Sequence, residues 1–402
     1  MQQTQSQSPA QLKSNTIKTM VLVVGIVLIA TTLRAPITGI APVLEQVIGH
    51  FNLTASQAGL LTTLPLIAFA IASPLAAMLA KRLGLEISLL IALIFIGLGC
   101  FSRVFNFQSV LFIGTGIIGV GIAIGNVLLP SLIKRDFPQK VAIMTSIYVL
   151  SMGIVGGGFS ALVIPLAEFN EFGWQISLAL FSIVVVIAIL FWLPQLNQKT
   201  PPTQNLVQTK ANAKIWHYAL AWQVTFYLGC NSLFTYIIVG WLPSILIESG
   251  HSAEQAGVLH GVFLIATAVP GLILVPLLAK LKDQRAPAVG IALLAAISSL
   301  SLFYFPSLAF LFTLIVGFCS GACFILGLSF ISYRTQNSQQ AAALSGMGQC
   351  FGYSLAAFGP MLAGFLHTQI GDWSGAVWLC AAGNLICATV GFWCGRNTQL
   401  PA

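Results

Sequence analysis

Residues 20–44 read MVLVVGIVLIATTLRAPITGIAPVL, with one charge, Arg34, and two prolines, Pro36 and Pro42. An apolar run of this length, wound at ~1.5 Å per residue, crosses the ~30 Å hydrocarbon layer of a bilayer. Backbone amides find no water there, so a spanning segment is a helix or part of a closed barrel. A barrel shows alternating segments of about ten residues, and this stretch is continuously apolar. It predicts a membrane-spanning helix with a cation near its centre.

The rest of the chain repeats the pattern. Of 402 residues, 57% are hydrophobic and 6% charged, whereas a soluble domain carries about 25% charge. So few charges cannot cover a water-facing surface. Apolar runs predict spans at about 17–48, 55–80, 86–104, 108–133, 141–166, 174–194, 214–247, 254–280, 287–304, 307–332, 340–367 and 373–395. The expected class is an all-α polytopic membrane protein with twelve transmembrane helices in two six-helix bundles, 17–194 and 214–396. The Gln- and Ser-rich start, 1–16, reads as a disordered cytoplasmic tail, 195–213 as a linker and 397–402 as a terminal tail. The eight cysteines fall in apolar stretches without His at ligand spacing. They read as buried packing residues, with no metal site and no disulfide framework.

Basic residues orient the chain. With the N-terminus in the cytoplasm, Lys13, Lys18, Lys81, Arg82, Lys134, Arg135, Lys140, Lys199, Lys210, Lys214, Lys280, Lys282, Arg285, Arg334 and Arg396 lie inside and only Arg103 outside. That bias satisfies the positive-inside rule. It predicts a bacterial inner-membrane protein with both termini cytoplasmic. It also accounts for the net charge of +8 without a nucleic-acid partner.

The halves resemble each other. Residues 37–42, ITGIAP, return as 238–243, IVGWLP; 57–61, QAGLL, return as 255–259, QAGVL; and Leu79-Ala80-Lys81 returns as Leu278-Ala279-Lys280. The offsets are 201, 198 and 199 residues, in collinear order. Parallel repeats place a solute site at mid-membrane between the halves.

Arg34 is the strongest candidate for that site. A central arginine costs ~2.5–3.5 kcal/mol on insertion scales, and no carboxylate lies mid-span. Two readings stand open: the guanidinium fork pairs with an anionic or strongly dipolar solute, or it binds carbonyls and water to hold helices. Pro36, Pro42 and Pro243 are expected to interrupt their helices, because proline removes a backbone donor. Asn126, Tyr148, Asn231, Tyr236, His260, Gln349 and Tyr353 are polar mid-span residues that face either the cavity or neighbouring helices. Tyr148 and Gln349 match at an offset of 201. The glycines at 114–125 and 153–158 read as close packing between moving helices.

Two six-helix halves joined by a linker resemble the major facilitator superfamily. Its loop after the second helix usually reads Gly-x-x-x-Asp-Arg-x-Gly. Here Ala77 to Gly84 keep the basic residue, Arg82, and the last glycine, with Lys81 where the acid is expected. Within the superfamily, Leu33-Arg34-Ala35-Pro36, residues 125–138 (GNVLLPSLIKRDFP), Trp241-Leu242-Pro243 and residues 344–364 (LSGMGQCFGYSLAAFGPMLAG) are similar to the cyanate and nitroimidazole transporter group. That group has Arg and Pro adjacent, and many members have Gln where Asn231 stands.

The expectation is a transporter that moves a small anionic or polar solute by alternating access, with Arg34 central, Lys81 and Arg82 at a gating loop, a bilayer around it, no cofactor, and a monomeric state. Without a mid-span carboxylate, proton coupling is expected to be weak or indirect. Drug or metabolite efflux is the alternative within transport. A non-transporting sensor lacks a soluble domain to signal with, and an enzyme lacks a nucleophile–base pair.

Overall fold

The computed structural model describes residues 9–169, 173–197, 215–278, 280–336 and 338–401, and among these the regular structure is helical throughout. The first span is α1 (Pro9–Thr32), α2 (Ala35–Thr38), a 3-10 turn (Ala41–Val43) and α3 (Leu44–Phe51). Then come α4 (Ala55–Leu83), α5 (Leu85–Ser102), α6 (Gln108–Asp136), α7 (Val141–Glu168), and a sixth span made of α8 (Gly173–Ala179) and α9 (Phe181–Trp192). The second half holds α10 (Ala219–Glu248), α11 (Ala253–Ala266) and α12 (Pro270–Leu278), α13 (Arg285–Tyr304), α14 (Ala309–Tyr333), α15 (Ser338–Ile370) and α16 (Ser374–Cys394). Among the described residues, eleven helical runs are long and apolar enough to cross a membrane. The remaining span, α15, eleventh in chain order, has the length, at 33 residues, and is more polar because it carries Gln349, Tyr353 and Ser354. Large apolar side chains such as Ile71, Leu98, Ile113, Leu190, Ile297 and Phe310 are exposed around the molecule, a surface that suits lipid rather than water.

The repeated motifs have a structural cause. Thr54 caps α4 by accepting from the Gln57 backbone at 3.2 Å, and Gln57 Oε1 accepts from the Thr54 backbone at 2.9 Å. Ser252 and Gln255 repeat this capping box at the start of α11, at 3.1 and 3.2 Å. The shared Gln-Ala-Gly therefore marks one helix start used twice.

Several expectations change. Helix α1 begins at Pro9, inside the stretch read as a disordered tail, because no breaker separates the polar start from the apolar run; residues 1–8 lie outside the described residues. Of the linker, Gln195–Asn197 continue a 3-10 turn from Leu193, and 198–213 lie outside the described residues. The terminal tail is docked. Leu400 is buried, its N–H donates to Arg334 O at 2.8 Å, and Gln336 Nε2 donates to Leu400 O at 2.9 Å. Arg334, expected in a basic loop, is buried and donates from Nε to Cys394 O at 2.8 Å. Arg103, expected outside, folds back and donates from Nη1 to Pro36 O at 2.7 Å. Cys350 is exposed, unlike the other seven cysteines. Pro243 does not break its helix: α10 runs through it from Ala219 to Glu248.

Lys81 and Arg82 end α4 with exposed side chains. They mark the basic end of the molecule, where Arg135 bridges Glu86 at 2.8 Å and Asp136 at 2.7 Å. In the loop before α13, hydrogen bonds from Arg285 hold the exposed Asp283 carboxyl below the usual carboxylate range. The acids at this end are thus tied into pairs that leave the other cations in excess.

The halves meet away from the basic end. Helix α4 packs on α15, where Thr63 Oγ1 donates to Ala357 O at 2.7 Å and a Cβ on Gly59 would sit 2.7 Å from Pro360 O. Helix α7 packs on α11 just as closely: a Cβ on either Gly157 or Gly261 would stand 2.6 Å from the other's carbonyl oxygen. These approaches exist only without a Cβ. We expect Gly261→Val to destabilise the protein by ~1–3 kcal/mol through overpacking and to lower the melting temperature. Gly290→Ala, where a Cβ meets open space, should not lower it.

Candidate functional site

Two helix breaks, one from each half, form the site. Helix α1 stops at Thr32, and Arg34 has left helical geometry, with φ −135° and ψ −50°. Pro36 opens α2 and cannot donate to the preceding turn. A second proline, Pro42, keeps the chain in a 3-10 turn. Pro36 O then lacks the donor it would have in a continuous α-helix, because Ile40 N–H goes to Ile37 O at 3.4 Å. Arg103 supplies the replacement. The expected interruption at Pro36 and Pro42 is therefore observed.

The second break was not expected, since 254–280 read as one span. Helix α11 ends at Ala266 and α12 starts at Pro270. Pro270 has no N–H for Ala266 O, which accepts from Val269 N at 3.3 Å instead. Thr267 sits in this break and donates its hydroxyl to Leu264 O at 2.7 Å.

The breaks touch. Arg34 Nη1 donates to Thr267 Oγ1 at 3.0 Å, so the hydroxyl gives one hydrogen bond and receives another. The Arg34 stem passes Gly156 of α7, whose Cβ would lie 3.6 Å from Arg34 Cγ and Cδ. Arg34 is half-buried. Thr267 is the one protein acceptor its side chain has among the described residues, and none of its nitrogens is sealed and unpaired. A guanidinium carries five N–H donors, so the described residues leave most of its hydrogen-bonding capacity unused.

A chain of aromatic residues leads away from it. Tyr236 of α10 lies within electrostatic reach of Arg34, and so does Tyr353 of Tyr236 and Tyr148 of Tyr353. Phe69 of α4 meets Tyr353 edge-on with centroids 5.8 Å apart. The three tyrosines are partly exposed and come from α7, α10 and α15, so both halves contribute to the wall.

The other candidates separate. Asn126 and Gln349 are exposed, and Gln349 Nε2 donates to Ser345 Oγ at 3.2 Å. Asn231 is buried, and its Oδ1 lacks a partner. His260 is sealed, with Nδ1 2.7 Å from Ser160 Oγ on the other half. Its ring also interacts with the Val239 backbone, off the line of a true hydrogen bond at Nε2. Val239 O is the acceptor that Pro243 deprives of a helical donor. His260 is thus explained by packing across the seam, which corrects its reading as a cavity residue in this conformation. Lys81 and Arg82 stand at the basic end, away from Arg34. Thr267, Phe69 and Arg103 were missed; the Thr-Ala-Val-Pro run at 267–270 was the available signal for the first.

A fork of free N–H groups beside aromatic rings suits a flat solute with paired acceptor oxygens. Comparison with known proteins places the chain among transporters. A 2-nitroimidazole transporter of Escherichia coli (strain K12) is 48% identical over 381 residues, 95% of this chain and 97% of that one. The cyanate transport protein CynX of the same organism is 26% identical over 90% of this chain and 94% of its own length. The inward-open xylose transporter XylE from E. coli shares the fold, with a TM-score of 0.73 at 14% identity over 94% of this chain and 95% of that one. The family model described as Major Facilitator Superfamily matches residues 22–357, and the chain, a solute transporter, belongs to that superfamily.

Proposed function

We propose that the protein carries small flat solutes bearing a nitro group or a comparable pair of acceptor oxygens, nitro-azoles foremost, by alternating access. The observation that carries this reading is Arg34, set in a helix break with one neutral acceptor and an aromatic wall beside it. The 48% identity to a 2-nitroimidazole transporter supports the solute class. A nitro group offers two oxygens in one plane, which matches the guanidinium fork, and the azole ring suits Tyr236 and Tyr353. In this reading the basic end faces the bacterial cytoplasm, the halves 17–194 and 214–396 are the moving units, and one chain holds the whole pathway as a monomer.

The aromatic wall favours a second reading, efflux of amphipathic compounds, in which recognition rests on rings rather than on charge. Arg34 separates the two.

Arg34→Ala should abolish uptake of 2-nitroimidazole into proteoliposomes while the protein stays folded and inserted, and Arg34→Lys should restore little. Normal transport by well-folded Arg34→Ala would favour the efflux reading. Thr267→Val removes the cross-half acceptor and should lower stability by roughly 1–3 kcal/mol, read as melting temperature, with Thr267→Ser close to wild type. No carboxylate pairs with Arg34 among the described residues. A pH gradient alone should therefore not drive uphill uptake; accumulation above equilibrium under that gradient would reject the coupling assignment.

A further inference from the structure

At the end opposite the basic loops, a cleft of about 400 Å³ opens between the halves. Glu45 and Thr54 line it from the first half, and Trp241, His367, Thr368 and Trp373 from the second. It is shut off from Arg34 by the contacts of Thr63 with Ala357 and of Gly59 with Pro360. Its volume falls in the range of small-ligand pockets, about 300–1,000 Å³.

The aromatic wall of this cleft is a fixed stack. Trp241 is pinned by its indole N–H on Pro360 O at 2.8 Å. Its ring meets Trp373 at 4.6 Å, and Trp373 stacks on His367 at 4.2 Å and 29°. His367 Nε2 is held 2.9 Å from Glu248 Oε2. Trp241 and Trp373 are 1% and 2% exposed, while the His367 side chain is 27% exposed. The stack is therefore closed at the indoles and accessible at the imidazole, where a further flat ring can continue it.

Charge selects among flat rings. Glu45 lines the cleft, Glu248 holds His367, and Asp372 lies within electrostatic reach of His367. Hydrogen bonds from Ser374 keep the Asp372 carboxyl below the usual range. No lysine or arginine lines the cleft. An anion is repelled here, whereas Arg34 attracts one.

We propose that this cleft is a second solute site, which holds flat nitrogen heteroaromatics without negative charge by stacking on His367 at the shut end of the pathway. The inference rests on the solute class argued above for the central site, and it deepens that reading. A neutral nitro-azole satisfies both places, by its ring at His367 and by its nitro oxygens at Arg34. A small anion such as cyanate satisfies only the second.

The test uses the purified full chain in detergent, with quenching of tryptophan fluorescence by 2-nitroimidazole as the readout for the Trp241–Trp373 stack. Saturable quenching should persist in Arg34→Ala with an apparent Kd within about two-fold of wild type. His367→Leu should raise that Kd at least five-fold at an unchanged melting temperature, and sodium cyanate should not compete. Should His367→Leu misfold, Glu45→Lys at an exposed position serves instead: cyanate should then compete where it did not before. The proposal is overturned if no saturable quenching occurs, if Arg34→Ala abolishes it, if His367→Leu leaves it intact, or if cyanate displaces the azole from wild type and Glu45→Lys alike. Transport retained by Arg34→Ala would reject the central assignment and leave this site standing.

Discussion

One guanidinium, held where two helices come apart, organises the centre of this transporter. A cation at this depth loses the solvation of bulk water, and a single threonine hydroxyl replaces little of it. The structure adapts by unwinding α1 after Thr32 and α11 after Ala266, by passing the stem over Gly156, and by leaving the remaining donors unsealed. Each of these features weakens the fold locally. Together they leave a charge with hydrogen-bonding capacity that the described residues do not use, placed where the two halves meet.

Most of the architecture was legible because lipid imposes simple rules. Long apolar runs can only be helices, and a lone mid-span arginine stands out. The collinear repeat was legible too, and the capping boxes at Thr54 and Ser252 give it a physical cause. What escaped was decided by tertiary contact. Proline alone does not say whether a helix breaks: Pro36 and Pro42 do break theirs, while Pro243 is absorbed into α10 with His260 beside the carbonyl it frees. Thr267 was hidden because threonine inside an apolar run carries no charge to mark it. The sequence assigned Arg103 and Arg334 only a side of the membrane, whereas each folds back to backbone carbonyls that end-of-helix geometry had left without donors. A long stem lets the charge lie far from where its Cα would place it.

The two ends of the pathway differ in kind. At the basic end, carboxylates are locked into pairs with arginines of their own half. At the other, Glu45 lines an aromatic cleft whose described lining holds no lysine or arginine, and beneath it Thr63 and Gly59 meet the backbone of α15. The two proposed sites thus present different chemistry to one small molecule: an acid and rings at the cleft, a guanidinium at the centre.

The glycine seam between α7 and α11 bears on how the halves move. Attraction between such bare surfaces is mostly dispersion, which falls by a quarter to a half when a gap of only about 0.5–1 Å opens. A seam of this kind weakens over a short distance, which sets it apart from contacts between long charged side chains. The packing that seats the halves here thus acts over about an ångström, and across the same seam the Ser160–His260 hydrogen bond reaches little further.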